Sequence, residues 1–203
     1  MQLLNRRRLM GEKLPYDYEV KWLQRFGAQY INTGVKANNT TRLITKVYDV
    51  QPLSSALFGC RVSAGKQMFY VLCGSGNSGQ LDFQVAWGNS SNFSKKVNIG
   101  DNITIDINKN KAYVNNTLYY TFTGGFTTAN LNIYLFALNQ NNGKVSGNEC
   151  IAKIGNTQIY QNNVLVRDFI PVAKDGKGYM FDKVEEKLYG NLGEGDFTIG
   201  ERI

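Results

Sequence analysis

Short alternating segments separated by tight-turn residues are the feature that most restricts the fold of this chain. In Asp101–Phe122 (DNITIDINKNKAYVNNTLYYTF), apolar and polar residues alternate up to a turn at Lys109-Asn110, and a short apolar strand then leads to a second turn at Asn115-Asn116. A period of two places successive side chains on opposite faces of a strand. Asparagine tolerates the left-handed backbone of two-residue hairpin turns. The stretch therefore predicts a three-stranded meander.

Similar strand patterns recur along the chain, and no segment has the period of a long amphipathic helix. The sequence contains 21 Gly, 12 Tyr and 11 Phe but 3 Pro, which favours strands joined by tight turns. About a dozen strands are predicted, from a pair within Glu19–Ile31 to a last one at Phe197–Ile199. We therefore predict an all-β fold, a sandwich or a barrel.

Two polar stretches are predicted as loops between strands, and the last fifth of the chain is predicted to contain further strands. Gly74–Gln80 and Asn139–Gly147 are predicted as polar loops, and Leu131–Leu138 (LNIYLFAL) as one strand. The final segment, Val164–Gly200, is predicted to be a series of hairpins that pairs with earlier strand edges and covers them.

A basic leader at residues 1–15 precedes one predicted domain at residues 16–203. The leader carries +3 of the formal net charge of +7, largely through Arg6, Arg7 and Arg8. The remaining +4 is ordinary for a domain of this size, so nucleic acid is not an expected partner. We predict that the three arginines anchor the leader on a neighbouring protein subunit.

The absence of histidine restricts the chemistry that the chain can perform. It excludes Ser-His and Cys-His nucleophiles and imidazole acid-base catalysis, so that catalysis would have to use carboxylates. The three cysteines, Cys60, Cys73 and Cys150, lie in apolar segments, and we predict reduced core thiols.

Targeting signals are also missing from the sequence. The leader lacks the apolar run of a signal peptide, and no stretch approaches the ~20 apolar residues of a membrane span. We expect a protein that is made in a cytoplasm and stays there, unless it leaves by lysis or within a larger particle, and we expect no membrane partner.

Three stretches resemble the laminin G-like, concanavalin A-like jelly-roll domains. IDINKNKAYVNNTLYYTF is similar to a hairpin of that family, and WLQRFGAQYINTGV is similar to the opening strand pair of a subgroup common in phage and prophage genomes of gut bacteria. The closing segment of that subgroup is matched by Arg167–Val172, Gly178–Asp182, Gly190-Asn191 and Gly193–Gly195. The resemblance covers about residues 19–200 and implies an antiparallel two-sheet β-sandwich with a jelly-roll topology.

Catalysis is not expected from the carboxylates. Glucanases that resemble this fold place two carboxylates on one strand across the scissile bond. The nearest approach here, Glu194–Thr198 (EGDFT), has Thr198 where the second glutamate should be, and Asp17–Lys21 (DYEVK) departs in the same way. We therefore predict that the protein is not an enzyme.

Glycan binding without cleavage requires an aromatic platform beside amide groups. The candidates are Trp87 and the following Asn89, together with Tyr70 and Asn77 if the neighbouring strand and loop end nearby. The alternative, which the phase of Trp87 with the apolar residues of its strand favours, is a core tryptophan.

Metal and cofactor sites are not predicted. Calcium occurs in laminin G-like domains, but it needs about six oxygen ligands with clustered carboxylates, and the loops here contain asparagine far more often than aspartate.

Arg167 and Asp168 are adjacent on one strand and point to opposite faces, so each would need its own partner if buried.

The resemblance implies two functions. The first is a non-catalytic bacteriophage virion component, such as a head decoration, fibre or tail-associated protein, which is located in the virion and contacts other virion subunits. The second is a lectin-like carbohydrate-binding module for bacterial-surface or mucus glycans. A homo-oligomer is compatible with both.

Overall fold

The computed structural model describes residues 14–51, 55–77, 79–128, 130–140, 144–146 and 153–203. These residues form strands, turns and loops and no helix, and so the part of the chain that the structure describes has no helix long and apolar enough to cross a membrane. The strands build two sheets with one main hydrophobic core. The chain is all-β and fits a β-sandwich, as predicted.

The strands are numbered in chain order. They are β1 (Tyr18–Glu19), β2 (Leu23–Gln24), β3 (Ile31–Lys36), β4 (Arg42–Tyr48), β5 (Ser55–Ser63), β6 (Lys66–Asn77), β7 (Gln80–Gly88), β8 (Ser90–Asn98), β9 (Ile103–Asn108), β10 (Lys111–Val114), β11 (Thr117–Thr121), β12 (Asn132–Leu135), β13 (Leu138–Gln140), β14 (Lys144–Ser146), β15 (Lys153–Gln161), β16 (Val164–Lys174), β17 (Lys177–Asp182), β18 (Lys187–Tyr189) and β19 (Thr198–Ile199).

Among the strands that the structure describes, the two sheets are antiparallel except where β13 pairs with β5. The first sheet has the order β11-β10-β9-β4-β15-β16-β17-β18, with β1 on β16 and with β2 between β15 and β19. The second has the order β14-β13-β5-β6-β7-β8, and β12 pairs with both β3 and β5. The exception is β13, which runs parallel to β5 and places Gln140 beside Arg61.

The alternation in the sequence decides which side chains enter the core. In β9, Ile103, Ile105 and Ile107 are buried while the residues between them are half-buried. The three-stranded meander β9-β10-β11 is confirmed, and both asparagines of its second turn have positive φ. The second sheet meets this core with phenylalanines and valines from β5, β6 and β7.

Four local predictions are wrong. The predicted loop Asn139–Gly147 contains the end of β13 and all of β14. Gly74–Gln80 is not a loop, because β6 runs to Asn77 and β7 starts at Gln80. Ser90–Asn98, for which no strand was predicted, is β8, which pairs with β7 along its length. Leu131–Leu138 is two strands, because Phe136 has φ +66° and separates antiparallel β12 from parallel β13. The carbonyl of Phe136 accepts a hydrogen bond from buried Arg25, which holds this break in place.

The last segment closes the first sheet. The strands β16, β17 and β18 form consecutive hairpins at one edge, and β19 pairs with β2. The loop before β19 is held by Asn191, whose side chain donates to the carbonyls of Gly193 and Gly195 and accepts from the amide of Tyr30. As predicted, this segment pairs with earlier strands.

A partly buried ion cluster lies at the same edge. Arg167 pairs with two carboxylates. Its Nη1 lies 2.8 Å from Glu185 Oε1, and its Nε lies 3.6 Å from Asp182 Oδ2. Asp168 points to the other face and pairs with Lys183 at 2.7 Å. The adjacent arginine and aspartate therefore face opposite sides and have separate partners, as their spacing predicted.

Candidate functional site

A cleft of about 480 Å³ opens at one end of the second sheet. It is formed by the turn between β5 and β6, the turn between β7 and β8, and the segment that follows β11. Its lining residues are Val62, Gly65, Lys66, Gln67, Gly88, Asn89, Gly125 and Thr127. Of the four residues predicted to bind a glycan, Asn89 is the one that lines it.

Close backbone packing gives this cleft its shape. The amide of Asn89 donates to the carbonyl of Gly125 at 3.1 Å. A Cβ on Gly88, whose φ is +63°, would overlap that carbonyl, and a Cβ on Gly124 would overlap the Asn89 side chain. Glycine at these positions therefore lets the segment after β11 rest directly on the β7–β8 turn.

Trp87 lies next to the cleft but belongs to the core. Its side chain is 7% exposed and packs against Phe122 and Phe126, with ring centroids 6.2 Å and 4.9 Å away. Its Nε1 has no hydrogen-bond partner within the described residues. A sugar ring stacks on an exposed aromatic face, and Phe126 occupies this position on Trp87. The indole is therefore a core side chain that precedes the cleft residues Gly88 and Asn89 in the sequence.

The polar side chains that line the cleft are hydrogen-bonding groups, one of them a cation. Lys66 carries an ammonium, Gln67 and Asn89 carry amides, and Thr127 carries a hydroxyl, while the described lining residues include no carboxylate. Amides and hydroxyls both donate and accept, which suits the hydroxyl rim of a pyranose. The lining therefore offers hydrogen-bonding groups of the kind that such a ligand needs.

The structure does not bring the other two glycan-binding candidates to this cleft. Tyr70 pairs with Ala86, the neighbour of Trp87, so that its side chain lies on the opposite face of the sheet. Asn77 lies at the far end of β6, where its backbone pairs with Gln80, and its side chain is outside the described part of the structure. The anchor candidates Arg6, Arg7 and Arg8 and the thiol of Cys150 are outside the described residues.

Tyr70 belongs to a second polar cluster, on the outer face of the second sheet. Burial raises the pKa of its phenol, against hydrogen bonds from the Arg61 and Gln84 side chains. Arg61 donates from Nε and Nη2 to Gln140 Oε1 at 3.0 and 2.8 Å. The sequence carries no signal for this cluster, because Gln140 is 79 residues from Arg61 and lies in a stretch with the composition of a polar loop.

The carboxylates of the closing loop are separate and solvated. Glu194 is exposed, and Asp196 is exposed with its Oδ1 at 3.4 Å from Lys177 Nζ. Asp17 accepts a hydrogen bond from the backbone of Asp175 in a turn. Within the described residues, no three Cys, Asp or Glu side chains are grouped so that they could hold a metal ion.

Comparison with known proteins does not assign the chain to a family, because no protein-family model and no curated protein matches it.

Proposed function

We propose that the protein is a non-catalytic component of a bacteriophage virion, with a concanavalin A-like jelly-roll fold, that binds glycans in the cleft beside Trp87. The virion setting is supported by the resemblance of Arg167–Val172 and Gly178–Asp182 to the phage subgroup. The jelly-roll fold is supported by the two antiparallel sheets. The observation that carries the binding function is the cleft itself, lined by Lys66, Gln67, Asn89 and Thr127.

Binding in this cleft depends on hydrogen bonds and shape. Each neutral hydrogen bond to a sugar hydroxyl contributes about 0.5–1.5 kcal/mol net, so three or four such bonds give weak binding for a single copy. A virion displays many copies of one protein, and simultaneous binding raises the overall affinity by orders of magnitude without new contacts. Weak single sites are therefore sufficient for adhesion.

A glycan array tests the binding function. We expect saturable binding of the wild-type protein, displayed on a multivalent support, to a subset of bacterial-surface or mucus glycans. Asn89→Ala and Thr127→Val should each weaken it about three- to tenfold, since each removes one hydrogen-bonding group. Asn98→Ala is the matched control, because it removes an exposed amide at the opposite end of β8. A blank array, or equal losses in all three variants, would contradict glycan binding in the cleft.

The virion setting is tested on particles. Mass spectrometry and immunogold labelling of purified phage from an induced host should detect the protein at a fixed copy number per particle. Deletion of residues 1–14 should prevent its incorporation, because the leader with Arg6, Arg7 and Arg8 is the proposed anchor. Unchanged incorporation would disprove the anchor, and absence of the protein from particles would disprove the virion proposal.

The second candidate is a carbohydrate-binding module that acts outside a virion. The same cleft favours it, since nothing in the lining residues requires a particle. Binding on the array that depends on Asn89, combined with absence from purified particles, would identify this second function.

A further inference from the structure

The cluster around Arg61 lies on the outer face of the second sheet. In β5, Arg61 is half-buried, and it is the parallel pairing of β13 with β5 that places Gln140 beside it. The guanidinium carbon lies 5.7 Å from the centre of the Tyr70 ring. Three strands of the sheet therefore hold this one side chain.

The partners of Arg61 differ from those of comparable arginines. Arg42 forms two hydrogen bonds with the carboxylate of Asp106, at 3.0 and 2.7 Å, and Arg167 is paired with Glu185. Among the residues that the structure describes, the partners of Arg61 are an amide oxygen and a phenol, and none is a carboxylate. Within the described side chains, the Arg61 charge is therefore not balanced by a carboxylate, in a half-buried place where an unpaired charge is unfavourable.

The guanidinium is held in place and still has donors available. A guanidinium has about five N–H donors. Two of them bond to Gln140 Oε1, and the guanidinium also lies against the Tyr70 ring. Tyr70 is 2% exposed and Gln84, its other partner, is 5% exposed, so that neither can readily move. The remaining donors, about three, are thus presented by a side chain whose orientation is already restricted, which lowers the entropic cost of binding an anion.

We propose that Arg61 binds the carboxylate of an acidic sugar, one whose ring carries a carboxyl group, at a second site distinct from the cleft. A planar guanidinium matches the two oxygens of a carboxylate. The ligand's carboxylate supplies the negative charge that the cluster lacks, and the amide nitrogen of Gln140 is a further donor for neighbouring hydroxyls. Tyr70 and Gln84 are positioning residues. The inference rests on the proposed function in that the ligand is a glycan.

Calorimetry with matched ligands tests this site. The first pair is trigalacturonate and its carboxyl-reduced neutral trimer, and the second is sialyllactose and lactose, which distinguish a uronic acid from a sialic acid. We expect at least one acidic member to bind about tenfold more tightly than its neutral counterpart. Arg61→Gln should remove this preference. Lys46→Gln, which removes an equal charge from an exposed side chain of β4, should keep it.

A second variant separates positioning from folding. Tyr70→Phe keeps the ring and removes the hydroxyl, so we expect an unchanged fold, a partial loss of the acidic preference of about threefold, and a shifted ¹⁵Nε resonance of Arg61. Equal affinity for acidic and neutral members of both pairs would overturn the inference, and so would an Arg61→Gln variant that retains the preference.

The two proposals fail in different ways. If binding of neutral glycans depends on Asn89 and acidic sugars are not preferred, the Arg61 site is disproved and the cleft stands. If an Arg61-dependent acidic preference persists while Asn89→Ala changes nothing, the site at Arg61 stands and the cleft is disproved.

Discussion

Replacing Arg167 by methionine should destabilise the domain more than the loss of any surface ion pair. The substitution keeps a long apolar stem and removes the charge that faces Asp182, whose side chain is completely buried. Asp182 Oδ1 would still accept from the amides of Asp168 and Val184 at 2.8 and 3.1 Å, but its Oδ2 would have neither a hydrogen bond nor a cation nearby. Leaving one member of a buried pair uncompensated costs about 3–5 kcal/mol.

Urea unfolding followed by circular dichroism measures this cost. The free energy of unfolding should fall by about 3–5 kcal/mol with an unchanged m-value, and the Tm by roughly 10 °C. In Lys177→Met, the exposed pair with Asp196 is lost, and the cost should stay below about 1 kcal/mol. Asp182→Asn should cost less in the Arg167→Met background than alone. A loss below about 1 kcal/mol for Arg167→Met would refute the view of this cluster as a buried charge pair.

Three further predictions concern single side chains. Phe126→Ala, made in a Trp22→Phe background, should uncover Trp87 and shift its fluorescence to longer wavelength, and unchanged acrylamide quenching would contradict the packing. Burial raises the pKa of the Cys60 thiol to about 12, so iodoacetamide at about pH 8 should modify this residue only after unfolding, as read by mass spectrometry. The hydrogen bond that Lys153 donates to Asp49 lowers the pKa of this carboxyl. The pair stabilises the fold by up to about 1 kcal/mol above the unfolded pKa of Asp49, and this stabilisation is lost as the pH falls through the folded pKa. Asp49→Asn should therefore match wild type in urea stability near pH 2 and be less stable near pH 6.

Alternation of apolar and polar residues is enough to predict the strands that pair with the next strand in the sequence. In the meander, the alternation of isoleucines in β9 predicts which side chains are buried, and the asparagine turns determine the pairing with β10 and β11. The break at Phe136 could not be predicted, because an aromatic residue with positive φ has no local signal. Its carbonyl is held by Arg25, which is 111 residues away. The conformation of Phe136 thus depends on a tertiary contact.

The same distinction separates the two candidate sites. The segment around Trp87 and Asn89 could be selected from the sequence, because a turn places them together, but the burial of Trp87 depends on Phe126 from a distant loop. The site at Arg61 needs the parallel pairing of β13 with β5, since without it Gln140 could not reach the guanidinium. Parallel neighbours require a long connection and carry no turn signal. A binding site assembled by such a pairing therefore can be recognised only from the folded sheet. There the partners of Arg61 can be compared with those of Arg42, which pairs with the carboxylate of Asp106.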